Sequence, residues 1–276
     1  MSWLGSWSRG SLQEQSTIQQ GNPEPLNPEP LNPYRRILQY LPDGQADGLR
    51  CVSFTRWGGV SLPPYNDLNI GLNVGDDREA VEENRQIVRT LLDAGELISS
   101  GQIHGRRLAV VEGPVQEENL AGVDGLLTDV RDVALLIQHA DCQAVVLYDP
   151  GKRAIANIHC GWKGSVSGIL IKAVRKMAKT YSSRPQDLWA SVSPSLGPCC
   201  AEFKDWKSLL PRTLHDFQTA PAHFDFWAIT RWQLRSAGLP SEQIELSRIC
   251  TACSEDYFSY RREGLTGRNA TAIMLA

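Results

Sequence analysis

VALLIQHADCQAVVLYDPGKRAIANIHCGWKG, residues 133–164, holds three apolar runs separated by short polar links. Val133–Ile137, Ala144–Tyr148 and Ala154–Ile158 are each about five residues long and rich in Val, Ile and Leu, which is the signature of buried strands. Tyr148-Asp149-Pro150-Gly151 is a turn sequence, so the last two runs form a hairpin. Further along, Gly164–Thr180 places Val166, Ile169, Leu170, Ala173, Val174 and Met177 at helical spacing with Lys and Arg between them. Leu188–Ser193 reads as a strand, and Phe226–Ala237 as a helix closed by Gly238 and Pro240. Toward the N-terminus, Leu108–Val111 and Leu49–Thr55 read as strands, with a turn at Gly58-Gly59. Asp76-Asp77 caps an amphipathic helix through Val81, Ile87, Val88, Leu91 and Leu92. Hairpins mixed with helices, without regular strand–helix alternation, predict an α+β domain of mixed, largely antiparallel sheets flanked by helices.

No linker composition interrupts residues 36–276, so one domain is expected there. Residues 1–35 read as a disordered leader rich in Pro, Gln and Asn, with Asn-Pro-Glu-Pro-Leu repeated at Asn22–Leu26 and Asn27–Leu31. A net charge of −3 among 276 residues argues against a nucleic-acid partner. The longest apolar runs are too short to span a bilayer, and Met1–Gly10 has no secretory apolar core. The expectation is a cytoplasmic protein with no membrane partner. Seven cysteines in such a chain favour ligand or nucleophile roles over a disulfide framework.

Three potential ligands lie where an apolar strand breaks into small residues: His104 in Gln102–Gly105, Cys142 in Ala140–Cys142, and His159 in Ile158–Gly164. Two imidazoles and a thiolate suit zinc and leave a fourth position for water, whose pKa falls toward neutrality there. Without metal, Cys142 and His159 would serve as nucleophile and general base. The bland alternative is a set of packing residues at strand ends, with His139 and Cys160 close enough in sequence to replace a member.

At these residues the chain resembles the YfiH or laccase-domain family, also described as polyphenol oxidoreductase laccases, purine nucleoside phosphorylases and peptidoglycan-editing factors. The likeness rests on ordered motifs. They are Phe54–Ser61, Asn69–Asp77, Asn84-Arg85, Gln102–Gly105, Asp124-Gly125, Ala140–Cys142, His159–Gly164, Gly197–Cys200, Cys250–Cys253, Phe258–Arg262 and Gly267-Arg268. The resemblance implies that His104, Cys142 and His159 hold a metal, zinc or alternatively copper. It also implies that Arg56 and Asn69 line a substrate pocket, with Arg56 contacting phosphate. The implied activity is a zinc-dependent purine nucleoside phosphorylase acting on adenosine, inosine or methylthioadenosine, with adenosine deaminase activity. The alternatives are a cysteine or metallo-hydrolase editing peptidoglycan precursors, or a laccase-like polyphenol oxidoreductase. The chain departs from the family pattern at His139, Cys160 and Thr230, where Thr, Ala and Asn are usual.

The residues weigh these activities differently. Five histidines and no His-x-His pair do not furnish a trinuclear copper cluster, which counts against laccase chemistry. Asp141, next to Cys142, reads equally as a proton shuttle or a structural acceptor. Cys199-Cys200 with Cys250-x-x-Cys253 raises a four-thiolate zinc site, but adjacent cysteines are poor co-ligands, so a structural reading is preferred. Arg261, Arg262 and Arg268 read first as caps of the fold, with reach into the pocket as the other option.

Overall fold

Central strands buried on both faces build two facing sheets, with helices on their outer sides. The computed structural model describes residues 34–36, 48–115 and 117–276, and Asn32–Ala276 forms one compact unit. The strands are β1 Tyr34–Arg36, β2 Leu49–Phe54, β3 Glu96–Ile98, β4 Leu108–Val110, β5 Gly125–Thr128, β6 Val133–His139, β7 Gln143–Asp149, β8 Ala154–Cys160, β9 Trp189–Val192, β10 Gln218–Ala220, β11 His223–Phe224, β12 Ile244–Leu246 and β13 Asn269–Leu275. The helices are α1 Arg78–Leu92, α2 Trp162–Ser167, α3 Ile169–Tyr181, α4 Trp206–Leu209, α5 Phe226–Ser236 and α6 Tyr260–Glu263. One sheet runs β1-β2-β13-β6-β3 and the other β12-β9-β7-β8-β5-β4, with β10 and β11 forming a small ribbon. The three parallel pairings, β3 with β6, β4 with β5 and β12 with β9, all lie at sheet edges. The interior pairings are antiparallel, as the sequence predicts.

Alternate residues of one strand enter different cores. Leu135 faces the second sheet, where it meets Leu126, Val146 and Ile155, while Ala134 and Leu136 face Val88 and Leu92 of α1. Val145, Leu147 and Ile158 pack on the far side against Ile169, Ala173 and Met177 of α3 and Leu234 of α5. The order of layers is helix, sheet, sheet, helices. Strands covered on both faces carry no polar alternation, which explains the continuous apolar runs of β6, β7 and β8. Asp77 caps α1 as expected, accepting from Glu79 N at 2.8 Å and Ala80 N at 3.1 Å. That cap stabilises the helix by about 1 kcal/mol.

Two features differ from the sequence expectation. The helix expected over 164–180 is two helices, because Gly168 adopts φ +71° and ends α2 before α3 begins. The chain also ends in a strand that the local pattern does not announce: β13 pairs with both β2 and β6 and lies at the middle of its sheet. The leader expected over 1–35 lies outside the described residues, apart from Tyr34 and Arg35 in β1. Among the described residues no helix is long and apolar enough to cross a membrane.

Candidate functional site

Two links cross from the first sheet to the second at the same end of the molecule. His104 lies in the link from β3 to β4, and Ala140–Cys142 is the link from β6 to β7. His159 stands at the corresponding end of β8. Its neighbours two and four residues back, Asn157 and Ile155, share its face, so the imidazole points into the layer between the sheets. The donor atoms of His104, Cys142 and His159 all lie within 4.8 Å of one another. His104 Nδ1 is 3.9 Å from Cys142 Sγ, and the two imidazole rings meet edge to face at 4.7 Å between centroids. The three residues singled out from sequence are therefore brought together.

Asp124, at the entry to β5, organises this group. It is fully buried, and its Oδ1 accepts from His104 N at 2.8 Å, Ile103 N at 3.2 Å and His159 Nδ1 at 3.0 Å. Its Oδ2 accepts from Gly105 N at 2.8 Å. One carboxylate thus fixes the loop that carries His104, where His104 holds a left-handed φ of +60°, and also the tautomer of His159. With Nδ1 engaged, Nε2 of His159 remains as its donor. Burial disfavours the Asp124 charge, but His159 and the loop amides outweigh it and hold the carboxyl below its ordinary value. Apart from the Asp-Gly pair that marks the start of β5, nothing in the sequence distinguishes this carboxylate from any other.

The thiol of Cys142 is shaped by the same neighbours. Burial opposes its ionisation, yet charge and hydrogen bonds from His159 and His104 bring it down to about 6. His159 is pushed the other way. Burial disfavours its imidazolium, and Cys142 and Asp124 raise it to about 9. The pair therefore favours thiolate and imidazolium, or equally a metal in place of the proton. Gly161 completes the cradle. A Cβ built there would stand 2.9 Å from Cys142 Sγ and 3.0 Å from His104 Nδ1, so any side chain would fill the space where these donors converge. Two nitrogens and a sulfur around a space kept clear by glycine fit a borderline-soft divalent ion with an open fourth position.

The group opens into a cavity of about 550 Å³. Phe203, Phe226 and Trp162 form an apolar wall, with Phe203 and Phe226 at 5.1 Å between ring centroids. Arg261 and Arg268 line the cavity and cap the fold as well, Arg261 Nη2 donating to Glu202 O at 3.0 Å and Arg268 Nη1 to Thr266 O and Gly267 O at 2.9 Å each, so both options hold for them. Arg262 does cap: its Nη1 donates to Thr251 O at 2.8 Å and Ser254 O at 2.7 Å.

Arg56 and Asn69 are not among the residues that line this cavity. The buried Arg56 pairs with Glu263 at 2.6 Å, donates through Nε to Asn66 O at 2.9 Å and lies 4.5 Å from the centre of the Phe258 ring. Asn69 is fully buried, and its Oδ1 accepts from Arg268 N at 2.8 Å and Gly71 N at 2.9 Å. Both brace the segment that delivers Arg268.

Asp141 resolves toward the structural option. It holds a left-handed φ of +87°, and its Oδ1 accepts from Thr251 Oγ1 at 2.7 Å and Ser259 Oγ at 2.6 Å. Its Oδ2 accepts from Arg261 N at 2.6 Å. Three donors on both oxygens hold the backbone that presents Cys142. His139 and Cys160 do not replace a member of the trio. His139 Nε2 bonds Thr271 Oγ1 at 2.8 Å, and buried Cys160 lies 3.3 Å from Ser165 Oγ, with burial raising its thiol to about 12. Thr230, buried in α5, is hydrogen-bonded to Gln143.

The comparisons with known proteins agree with one another. The family described as multi-copper polyphenol oxidoreductase laccase matches residues 50–276. The purine nucleoside phosphorylase SCO2081 of Streptomyces coelicolor is 34% identical over 242 residues, covering 84% of this chain and 99% of that protein. Among solved structures, the YfiH protein of Bacillus licheniformis superposes with a TM-score of 0.80 at 30% identity, covering 89% of this chain and all of that one. YlmD of Geobacillus stearothermophilus gives 0.79 at 30% identity, covering 90% and 97%.

Proposed function

The chain belongs to the multi-copper polyphenol oxidoreductase laccase family, and on that premise we propose that it is a metal-dependent purine nucleoside phosphorylase with adenosine deaminase activity at the same site. The observation that carries this reading is the convergence of His104, Cys142 and His159 at the mouth of a cavity that also offers an aromatic wall and Arg268. These three side chains would hold zinc, or alternatively copper, and a bound ion would supply Lewis acidity at its open position. The ring wall of Phe203 and Phe226 suits the flat face of a purine, and the cavity volume lies in the range of small-molecule sites. Arg268, whose backbone N donates to Asn69 Oδ1, would take the phosphate. In phosphorolysis a phosphate oxygen bonds ribose C1′ while the bond from C1′ to the purine nitrogen breaks and its electron pair leaves with the base. The residues bind, orient and keep water from C1′.

Laccase chemistry is disfavoured by the placement of the histidines. Among the described residues only His104 and His159 belong to a group of side chains able to hold a metal, and His139, His215 and His223 belong to none. A hydrolase that edits peptidoglycan precursors is the second reading, and the thiolate–imidazolium tendency of Cys142 and His159 favours it.

Purified protein given adenosine and phosphate is expected to yield adenine and ribose 1-phosphate, with some inosine. His104→Ala and Cys142→Ala are expected to abolish both products while the protein stays folded. Arg268→Ala is expected to raise KM for phosphate about tenfold or more with a smaller change in kcat. Turnover that survives in folded His104→Ala and Cys142→Ala proteins removes this assignment. Muramyl-peptide cleavage without nucleoside turnover selects the hydrolase.

A further inference from the structure

Outside the trio, four more thiols converge. Cys199 and Cys200 lie in the turn after β9, and Cys250 and Cys253 in the turn after β12. Their sulfurs all lie within 4.8 Å of one another, with Cys253 Sγ 3.4 Å from Cys200 Sγ and 3.6 Å from Cys199 Sγ. Four sulfurs bonded tetrahedrally to zinc at about 2.3 Å stand ~3.8 Å apart, so these two separations lie a few tenths of an ångström inside that geometry. The adjacency that counts against Cys199 and Cys200 in the sequence is overcome by the turn. Cys200 N and Ala201 N both donate to Gly197 O at 3.0 Å, and the tight bend brings both sulfurs to one point.

Burial and the neighbouring cysteines push the Cys199 thiol up to about 11 and the Cys200 thiol above its ordinary value, while the surroundings of Cys250 suit a thiolate. Gly197 N donates to Cys250 Sγ at 3.3 Å, and a side chain at Gly197 would place its Cβ 3.0 Å from Cys250 Cβ. Burial disfavours the Cys250 thiolate, but the amides of Gly197 and Cys253 outweigh it and draw this thiol below its ordinary value. Arg262, paired with Glu263 at 2.8 Å and bound to the carbonyls of Thr251 and Ser254, ties down the loop that carries Cys250 and Cys253.

We propose that Cys199, Cys200, Cys250 and Cys253 bind a second thiophilic divalent ion, zinc, in a closed four-thiolate site that clamps their two turns together. Each turn also holds Asp141. Leu196 N donates to Asp141 O at 2.8 Å from one side, and Thr251 Oγ1 donates to Asp141 Oδ1 from the other. The turns are joined besides by the bridge between Ser195 and Cys250. The four thiolates saturate the ion, leaving it no position for substrate, so it supplies rigidity to the backbone that presents Cys142.

The test is zinc content per chain in full-length protein purified with zinc and reductant and then dialysed against metal-free buffer. The unsubstituted protein is expected to hold about two zinc ions per chain, and Cys253→Ser and Cys199→Ser about one each. His104→Ala is expected to hold about one as well, retained by the four thiols. Zinc retained by His104→Ala and lost on Cys253→Ser upholds the clamp even if the trio binds nothing. Zinc content unchanged by Cys253→Ser, or a disulfide among these four cysteines in the zinc-loaded reduced protein, overturns it. If the serine variants do not fold, His104→Ala loaded with cobalt(II) decides. The clamp requires a sulfur-to-cobalt charge-transfer band several-fold stronger than one thiolate gives, and its absence overturns the proposal.

Discussion

The two groups of metal-capable side chains are built on opposite principles. His104, Cys142 and His159 are fixed by their surroundings: strand ends hold the backbone, and buried Asp124 orients a ring and a loop together. Cys199, Cys200, Cys250 and Cys253 sit on turns, and two of the four are exposed. The first group borrows rigidity from the sheets and keeps a coordination position open. The second has little rigidity to borrow, and four donors leave nothing open. A centre that meets substrate needs support from outside, whereas a centre that supplies support must be closed.

The contrast can be broken most sharply at Asp124. Asp124→Ala is expected to weaken metal at the trio by about 100-fold, with a comparable loss of nucleoside turnover, while the four thiols keep their ion. Equal loss of both metals would show the brace serving the whole fold. Gly161→Ala comes next. Its methyl would crowd Cys142 and His104, and turnover is expected to fall by roughly 10-fold or more with little change in melting temperature. Steady-state kinetics beside a thermal scan separates these effects.

A pH experiment sharpens the same line at His139, which stands beside the trio without joining it. Burial first, then the positive charges of His159 and Arg268, hold His139 at about 3 in the folded protein, below its ordinary 6.5. The unfolded chain therefore takes up the proton first. The stability due to neutral His139 is complete above pH 6.5 and is lost progressively as the pH falls toward 3. His139→Asn is expected to narrow the drop in urea midpoint between pH 7 and pH 4. An unchanged drop would assign the acid sensitivity to other groups. The smallest effect is expected at Thr251→Val, which removes one donor to Asp141. About 1 kcal/mol of stability and a few-fold in kcat should be lost, with zinc content unaltered.

Much of this was legible in the sequence, because burial on both faces turns β6, β7 and β8 into unbroken apolar runs, and Asp77 marks the start of α1. The trio was visible because each member follows or precedes such a run. β13 was not, since its place is set by pairing with β2 and β6, far away in the chain. Asp124 was missed as a brace because one carboxylate beside a glycine has no spacing signal. The resemblance put Arg56 in the pocket and the sequence reading took Arg268 first as a cap, because in sequence both are only arginines near glycine-rich motifs. Only Glu263, Phe258 and Asn66 show that the guanidinium of Arg56 is engaged away from the cavity.

The links carrying His104 and Cys142 both step from one sheet to the other, while His159 belongs to the second sheet alone. The donor set therefore works like the jaws of a calliper, its gap set by the register between two slabs. Asn157, whose Nδ2 reaches across to Leu135 O at 2.9 Å and Thr271 O at 2.8 Å, is the rivet that fixes that register. Reactivity in such a fold is adjustable from deep inside, by residues that no substrate ever touches.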